Sequence, residues 1–138
     1  VFSLEEFLAP FLENSHTLCH IDSISDNFLF VEGCESPYLI DWEYAGCSDP
    51  LIDIAMFAIY ANYTEAETTQ LLAGYFPEGF DHQIRARVYA YMAVGGLLWS
   101  AWCSYKSSLG TSFGVYAENQ LRFARMYPEK VHDLLRSM

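Results

Sequence analysis

The chain of 138 residues contains 18 acidic and 7 basic residues, so its formal net charge at pH 7 is −11. This charge argues against nucleic acids and anionic membrane surfaces as partners, because both repel an acidic protein. Hydrophobic residues make up 52% of the chain, which excludes a disordered protein and provides enough apolar surface for the core of one domain.

The acidic residues are concentrated in the first part of the chain. The residues before Arg85 include fifteen Asp or Glu and no Lys or Arg. Such a segment repels the phosphates of a nucleotide unless metal ions or another part of the protein neutralise it. The charge is compatible with a cationic substrate, but by itself it favours an ordinary acidic protein surface.

The cysteines indicate the cellular compartment in which the protein works. The four cysteines are Cys19, Cys34, Cys47 and Cys103. Because none of them shows C-x-x-C spacing, we expect no zinc site but buried, reduced thiols in a cytoplasmic protein.

Residues 1–13 are amphipathic and acidic, unlike a signal peptide. Residues 88–105 carry no charge and could just span a bilayer, but their Gly, Ser, Tyr and Trp content favours a buried helix.

The first elements in chain order are a helix, a loop and a hairpin. Residues 2–12 follow a helical period that begins within the pattern, which is typical of a truncated chain. A polar loop covers residues 18–27. Two short β-type runs, residues 28–31 and 38–40, flank a segment with Gly and Pro, which predicts a β-hairpin.

A helix is predicted directly after the hairpin. Asp49 suits its N-cap, and Pro50 suits its first helical position. Asp53 then lies in the first turn, where its negative charge complements the helix dipole. We therefore predict structural roles for both aspartates.

Further helices complete the chain. A capping box at residues 64–67 begins a helix that ends near Gly74. A long helix is predicted for residues 81–107 and another for residues 113–126, and Pro128 begins a last one. The fold class is therefore α+β, mostly helical, with one β-hairpin near the N-terminus.

The segment from His20 to Asn27 has the spacing of a kinase catalytic loop, His-x-Asp followed by four residues and Asn. In such a loop an Asp accepts a hydrogen bond from the attacking hydroxyl, and an amide oxygen reaches the metal. Asp22 is therefore the candidate base and Asn27 a candidate magnesium ligand, while His20 would hold the loop through hydrogen bonds. The alternative is a polar surface loop with an Asx-turn, because so short a motif often occurs by chance.

A second candidate metal ligand ends the hairpin. A kinase needs another Asp at the end of the strand after the catalytic loop, to bind the metal that bridges the phosphates. Asp41 follows residues 38–40 in that position. An Asp at a strand end is common, but its order and spacing relative to Asp22 and Asn27 favour a kinase-like site.

The sequence around this site resembles the choline kinase and aminoglycoside phosphotransferase superfamily. Residues 41–46, Asp-Trp-Glu-Tyr-Ala-Gly, are similar to the metal-binding segment of choline and ethanolamine kinases, with a closer resemblance to bacterial members. The matches cover residues 18–55 and recur over residues 99–123. The resemblance implies the C-terminal lobe of a protein-kinase-like fold, and ATP- and Mg²⁺-dependent phosphoryl transfer to the hydroxyl of choline or a related amino alcohol.

Aromatic residues supply a candidate cation pocket. Trp99 and Trp102 lie three residues apart and share a helix face, and aromatic faces bind quaternary ammonium ions. Ordinary core packing also explains this spacing. The resemblance implies that the pair corresponds to the Trp-x-x-Trp of the choline kinase pocket. It also aligns Tyr60 with a pocket Glu of eukaryotic members and places Tyr116 and Glu118 near a pocket Tyr.

A nucleotide-binding lobe is not recognisable in the sequence. No Gly-rich loop precedes His20 and no Lys precedes Lys106, although a kinase covers its nucleotide with a lobe that carries both. We therefore expect residues 1–138 to be the C-terminal catalytic and substrate lobe of a longer enzyme, inactive alone. Apolar surface near Phe2, Phe7 and the hairpin would then be bared and favour self-association.

Two other functions remain open. An aminoglycoside-type antibiotic kinase would use the same Asp22, Asn27 and Asp41 but a wider acidic cleft. A non-catalytic module would keep the cation pocket without turnover, although the intact set of three residues argues against it.

Overall fold

The computed structural model describes residues 7–9 and 16–136. The helices in the second range are α1 (Leu51–Tyr60), α2 (Glu65–Tyr75), α3 (His82–Ser108) and α4 (Tyr116–Arg136). The strands are β1 (Thr17–Cys19), β2 (Phe28–Leu29), β3 (Tyr38–Leu39) and β4 (Gly46–Ser48). Most of the helix predicted over residues 2–12, including Phe2, lies outside the described residues.

The core is formed mainly by α1, α3 and α4. Large side chains from these helices are fully buried, including Ile59, Met92, Phe123 and Tyr127. Gly96 of α3 lies so close to α4 that an added Cβ would be 2.5 Å from the Gln120 backbone oxygen. The absence of a side chain there allows α4 to approach α3 closely. Phe7 packs against this core and is only partly exposed, so it adds little to the apolar surface predicted near it.

Two helix starts agree with their sequence signals. The Thr64 hydroxyl accepts from the Glu67 N–H at 3.3 Å, and Glu67 accepts from the Thr64 N–H at 2.7 Å, which confirms the capping box of α2. Asp81 caps α3 by accepting from the Ile84 N–H at 2.8 Å. Among the described residues, no helix combines the length and apolar character that crossing a membrane requires.

The prediction that Pro128 begins a separate helix is wrong, because α4 continues through it to Arg136. Proline removes one backbone hydrogen bond and costs about 3 kcal/mol inside a helix. Phe123, Tyr127 and Val131 are buried on both sides of the proline, and their packing offsets that cost.

The strands form two antiparallel pairs. β2 pairs with β3 in the register Phe28 with Leu39, which confirms the hairpin. β1 pairs with β4 in the register Leu18 with Cys47, whereas the sequence predicts a loop over residues 18–27 and no such pair. The β1–β4 pair brings together the two ends of the segment between these strands, residues 20–45, close to the start of α1. Cys47 and Cys34 are exposed free thiols, so the prediction that all cysteines are buried is wrong.

Candidate active site

The backbone just before Asp22 is held by Asp53 of α1. The Asp53 carboxylate accepts from the backbone N–H groups of His20 at 3.0 Å and Ile21 at 2.7 Å. The Ser23 hydroxyl donates to the Asp53 backbone oxygen at 3.0 Å. Ile21 has a φ of 71°, which is unfavourable for a β-branched residue and persists only where surrounding contacts hold it. Asp53 therefore anchors the loop. The sequence predicted only an interaction of its charge with the helix dipole.

His20 links this loop to the hairpin. Its ring is buried, and Nε2 lies 2.8 Å from the backbone oxygen of Ile40, the residue before Asp41. Because a carbonyl oxygen only accepts, the contact requires the proton on Nε2. The ring also meets the edge of Trp42, with centroids 4.8 Å apart. His20 therefore fixes the position of the chain at Asp41.

Asn27 is buried and turned toward Asp22. Its side-chain nitrogen donates to the Asp22 backbone oxygen at 2.8 Å and to the Asp22 carboxylate at 3.3 Å. These contacts engage the amide nitrogen of Asn27 and hold its side chain against Asp22. The Ile40 N–H donates to the Asn27 backbone oxygen at 2.9 Å, so Asp41 lies one residue from a direct link to Asn27.

Asp41 is exposed and has a φ of 63°, a left-handed conformation that Asp tolerates better than most residues. Asn27 and Asp41 together supply one amide oxygen and one carboxylate, which are ligand types that Mg²⁺ prefers. Among the described residues, no group of three or more His, Cys, Asp and Glu could hold a metal ion. A magnesium ion held by these two residues would need its other ligands from phosphates and water.

A cavity of about 280 Å³ lies between the catalytic loop, the end of α1 and the start of α4. Its lining consists of Ser23, Ile24, Ser25, Phe57, Tyr60, Ala61 and Tyr116. Burial, and secondarily the nearby Asp22 carboxylate, raise the pKa of Tyr60. Burial, then the Cys103 thiol and Asp22, raise the pKa of Tyr116 to about 12. Both phenols therefore stay protonated at neutral pH beside Asp22.

A series of aromatic rings extends from this cavity along α3. Ring centroids are 5.7 Å apart from Tyr60 to Trp99, 5.7 Å from Trp99 to Trp102, and 5.2 Å from Trp102 to Phe113. Trp99 packs partly against the core, whereas Trp102 is 37% exposed. The structure thus joins Tyr60, Trp99 and Trp102 in one series, but the two tryptophans adjoin the cavity through Tyr60 rather than line it.

Glu118 does not belong to this cavity. It lines a separate cavity on α4 together with Arg122 and Arg125. The position near a pocket Tyr that the resemblance implies for Glu118 therefore lies outside the cavity beside Asp22. Tyr116, two residues earlier, reaches the cavity beside Asp22 instead.

Asp49 connects α1 to α3. Its carboxylate accepts from the Leu51 N–H at 3.0 Å, from two Arg87 nitrogens at 3.0 and 2.6 Å, and from the Tyr91 hydroxyl at 3.0 Å. Burial, and secondarily Asp49, raise the pKa of Tyr91. The Leu51 contact agrees with the predicted capping role. The ion pair was missed because its partners are 38 residues apart in the sequence.

Residues 3–94 match the family model of the phosphotransferase enzyme family. The chain belongs to this family. The predicted resemblance to the aminoglycoside phosphotransferase superfamily is thereby confirmed.

Three similar proteins or structures match the chain over three quarters or more of its length. Protein LicA of Haemophilus influenzae is 31% identical over 109 residues, which are 75% of this chain and 40% of that protein. The crystal structure of choline kinase LicA from Streptococcus pneumoniae is 31% identical, with a TM-score of 0.65, and covers 99% of this chain and 45% of that one. A structure of LicA in complex with AMP gives a TM-score of 0.66 at 31% identity, and covers 99% of this chain and 44% of that one.

The chain therefore spans less than half the length of these relatives. The predicted fold class is confirmed, since the mostly helical chain matches the helical C-terminal lobe of a kinase-like fold.

Proposed function

We propose that the protein containing this chain transfers the γ-phosphoryl group of ATP to the hydroxyl of choline or a related amino alcohol. The observation that carries the proposal is the position of Asp22, beside a small cavity lined by Tyr60 and Tyr116. Membership of the phosphotransferase family and similarity to a choline kinase support it.

Asp22 would act on the acceptor alcohol. Its carboxylate accepts the hydrogen bond of the hydroxyl and takes the proton as the oxygen bonds to the γ-phosphorus and ADP leaves. Asp53 and Asn27 hold the loop, so the carboxylate needs little reorganisation during the reaction. Magnesium, held by Asn27 and Asp41, would neutralise charge on the phosphate oxygens.

The cavity suits a small cation. A quaternary ammonium cannot donate hydrogen bonds, so aromatic faces and a negative field bind it. Tyr60 and Tyr116 provide aromatic rings in the lining, and the nearby Asp22 carboxylate provides the field. The cavity of about 280 Å³ has an aromatic and apolar lining, which suits a compact cationic alcohol.

We further propose that residues 1–138 are the C-terminal lobe and that ATP binding requires another part of the protein. The relatives are more than twice as long as the segment they share with this chain. The acidic stretch before Arg85 has no basic residue to hold phosphates. The chain alone would then show no turnover, and the whole enzyme, with its free thiols, would work in the cytoplasm.

Replacement of Asp22 in the full-length protein tests the proposed function. With ATP, Mg²⁺ and choline, we expect Asp22→Asn to lower kcat by a factor of about 10² to 10³ or more, because an electrostatic group at the reacting oxygen is lost. Asp26→Asn is the matched control, since Asp26 is exposed and contacts only Ser25 at 3.2 Å. Near-normal turnover of Asp22→Asn, or an equal loss in both variants, would contradict the proposal.

A further inference from the structure

One basic side chain of α3 lies on the aromatic series itself. The Lys106 ammonium is 5.4 Å from the centroid of the Trp102 ring, one helical turn away. Lys106 is half-buried, and Trp102 is 37% exposed. Within residues 16–136 we find no carboxylate in an ion pair with Lys106, whereas Arg87 and Lys130 each have one.

An ammonium in this position changes what Trp102 can offer a ligand. A ring face attracts a cation through its quadrupole, and a face that already holds an ammonium attracts a second cation less. Two positive charges within several ångströms also repel each other, and partial burial weakens solvent screening of that repulsion. The outer end of the aromatic series therefore disfavours a cationic ligand.

The inner end of the series has the opposite character. Tyr60 and Trp99 are in ring contact, and the Asp22 carboxylate lies close enough to Tyr60 to raise its pKa. A cationic alcohol bound at this end would have its hydroxyl near Asp22. A cationic alcohol bound on the Trp102 ring would lie one ring farther from Asp22.

We propose that Lys106 is a specificity-determining residue that occupies the Trp102 face and lowers the affinity of the series for a cationic substrate. It thereby confines the cation to the Tyr60–Trp99 end, near Asp22. This inference depends on the proposed function, because it requires a cationic alcohol as substrate. Lys106 takes no part in phosphoryl transfer, so its charge acts on the binding of cations and leaves neutral alcohols unaffected.

The test compares a charged with a neutral substrate of the same shape in the full-length protein. Kd for choline is measured by calorimetry, and kcat/KM is measured for choline and its uncharged isostere 3,3-dimethylbutan-1-ol. For Lys106→Gln we expect choline to bind roughly two- to fivefold more tightly, as the release of one exposed cation–π face implies, with no change in kcat/KM for the neutral alcohol.

Two further variants separate local from general effects. Lys106→Arg keeps the charge and should behave as the wild type. Lys130→Gln changes the net charge equally, but Lys130 pairs with Glu65 on another part of the surface, so choline affinity should not change. Unchanged or weaker choline binding in Lys106→Gln, or an equal change for both alcohols, would overturn the inference.

The outcome also distinguishes this inference from the proposed function. If the wild-type protein phosphorylates choline but Lys106→Gln binds it unchanged, only the role of Lys106 is wrong. If the wild-type protein neither binds nor phosphorylates choline, the proposed function is wrong and the role of Lys106 falls with it.

Discussion

The helical part of the chain and the hairpin segment differ in how far their apolar side chains are buried. In α1, α3 and α4 the core-facing side chains are buried, and Phe123 and Tyr127 are fully excluded from solvent, although Leu98 and Tyr105 of α3 are exposed. In the hairpin segment, residues 28–44, apolar and aromatic side chains lie at the surface, and Phe30 is 78% exposed. The helical part thus completes its own core, whereas the hairpin presents the kind of apolar surface that another protein element covers.

The candidate active site lies where these two regions meet. Asp53 holds the backbone just before Asp22 from the helical side. His20 connects this loop to Asp41 through the backbone oxygen of Ile40. One side of the site is therefore fixed by a packed core. The other is exposed, which suits a surface where a nucleotide-binding lobe would lie.

The largest expected effect concerns the helical core. In Gly96→Ala the new Cβ would lie 2.5 Å from the Gln120 oxygen and 2.9 Å from the Phe123 Cβ, so α4 must move away from α3. We expect the free energy of unfolding of the full-length protein to fall by about 3 kcal/mol, measured by chemical denaturation. In the control Gly74→Ala the new Cβ meets nothing within 4 Å, so stability should stay or rise by about 0.5–1 kcal/mol. Similar behaviour of both variants would show that α3 and α4 are not in close contact.

A smaller effect is expected at the junction between the two regions. Asp53→Asn would turn an amide NH₂ toward the N–H of either His20 or Ile21, and leaving a donor unpaired costs about 1–3 kcal/mol. We expect kcat for choline phosphorylation to fall by about tenfold or more. Asp81→Asn, which preserves a helix cap away from the cavity, is the control for turnover. If both variants keep the wild-type kcat, Asp53 does not position Asp22.

The smallest effect on stability is expected at the hairpin. Phe30→Ser should change the free energy of unfolding by less than about 0.5 kcal/mol, because the side chain is largely exposed. It should nevertheless reduce self-association of the isolated chain, measured by sedimentation, since it removes apolar surface from the hairpin. Leu109→Ser, at an exposed position outside the hairpin, is the control. A monomeric isolated chain, or an equal effect of both variants, would contradict an uncovered hairpin surface.

The sequence predicted the features that depend on short-range signals. The capping box at Thr64, the cap at Asp81 and the spacing of Asp22 with Asn27 are each encoded within a few residues. The prediction of β2 and β3 depended on alternation and turn residues that lie next to each other.

Features that depend on contacts between distant residues were missed. The anchoring of the loop by Asp53 joins residues 32 and 33 positions apart, and the pairing of Leu18 with Cys47 joins two three-residue strands with no pattern of their own. The continuation of α4 through Pro128 depends on packing against the core, which local propensity does not report.

The proposed preference for a small amino alcohol is tested by the relative rate at which the full-length protein phosphorylates choline, ethanolamine and kanamycin. The cavity beside Asp22, lined by Tyr60 and Tyr116, predicts the highest kcat/KM for choline or ethanolamine and little or no turnover of kanamycin. A preference for kanamycin, or no phosphorylation of any of the three alcohols, would contradict the account.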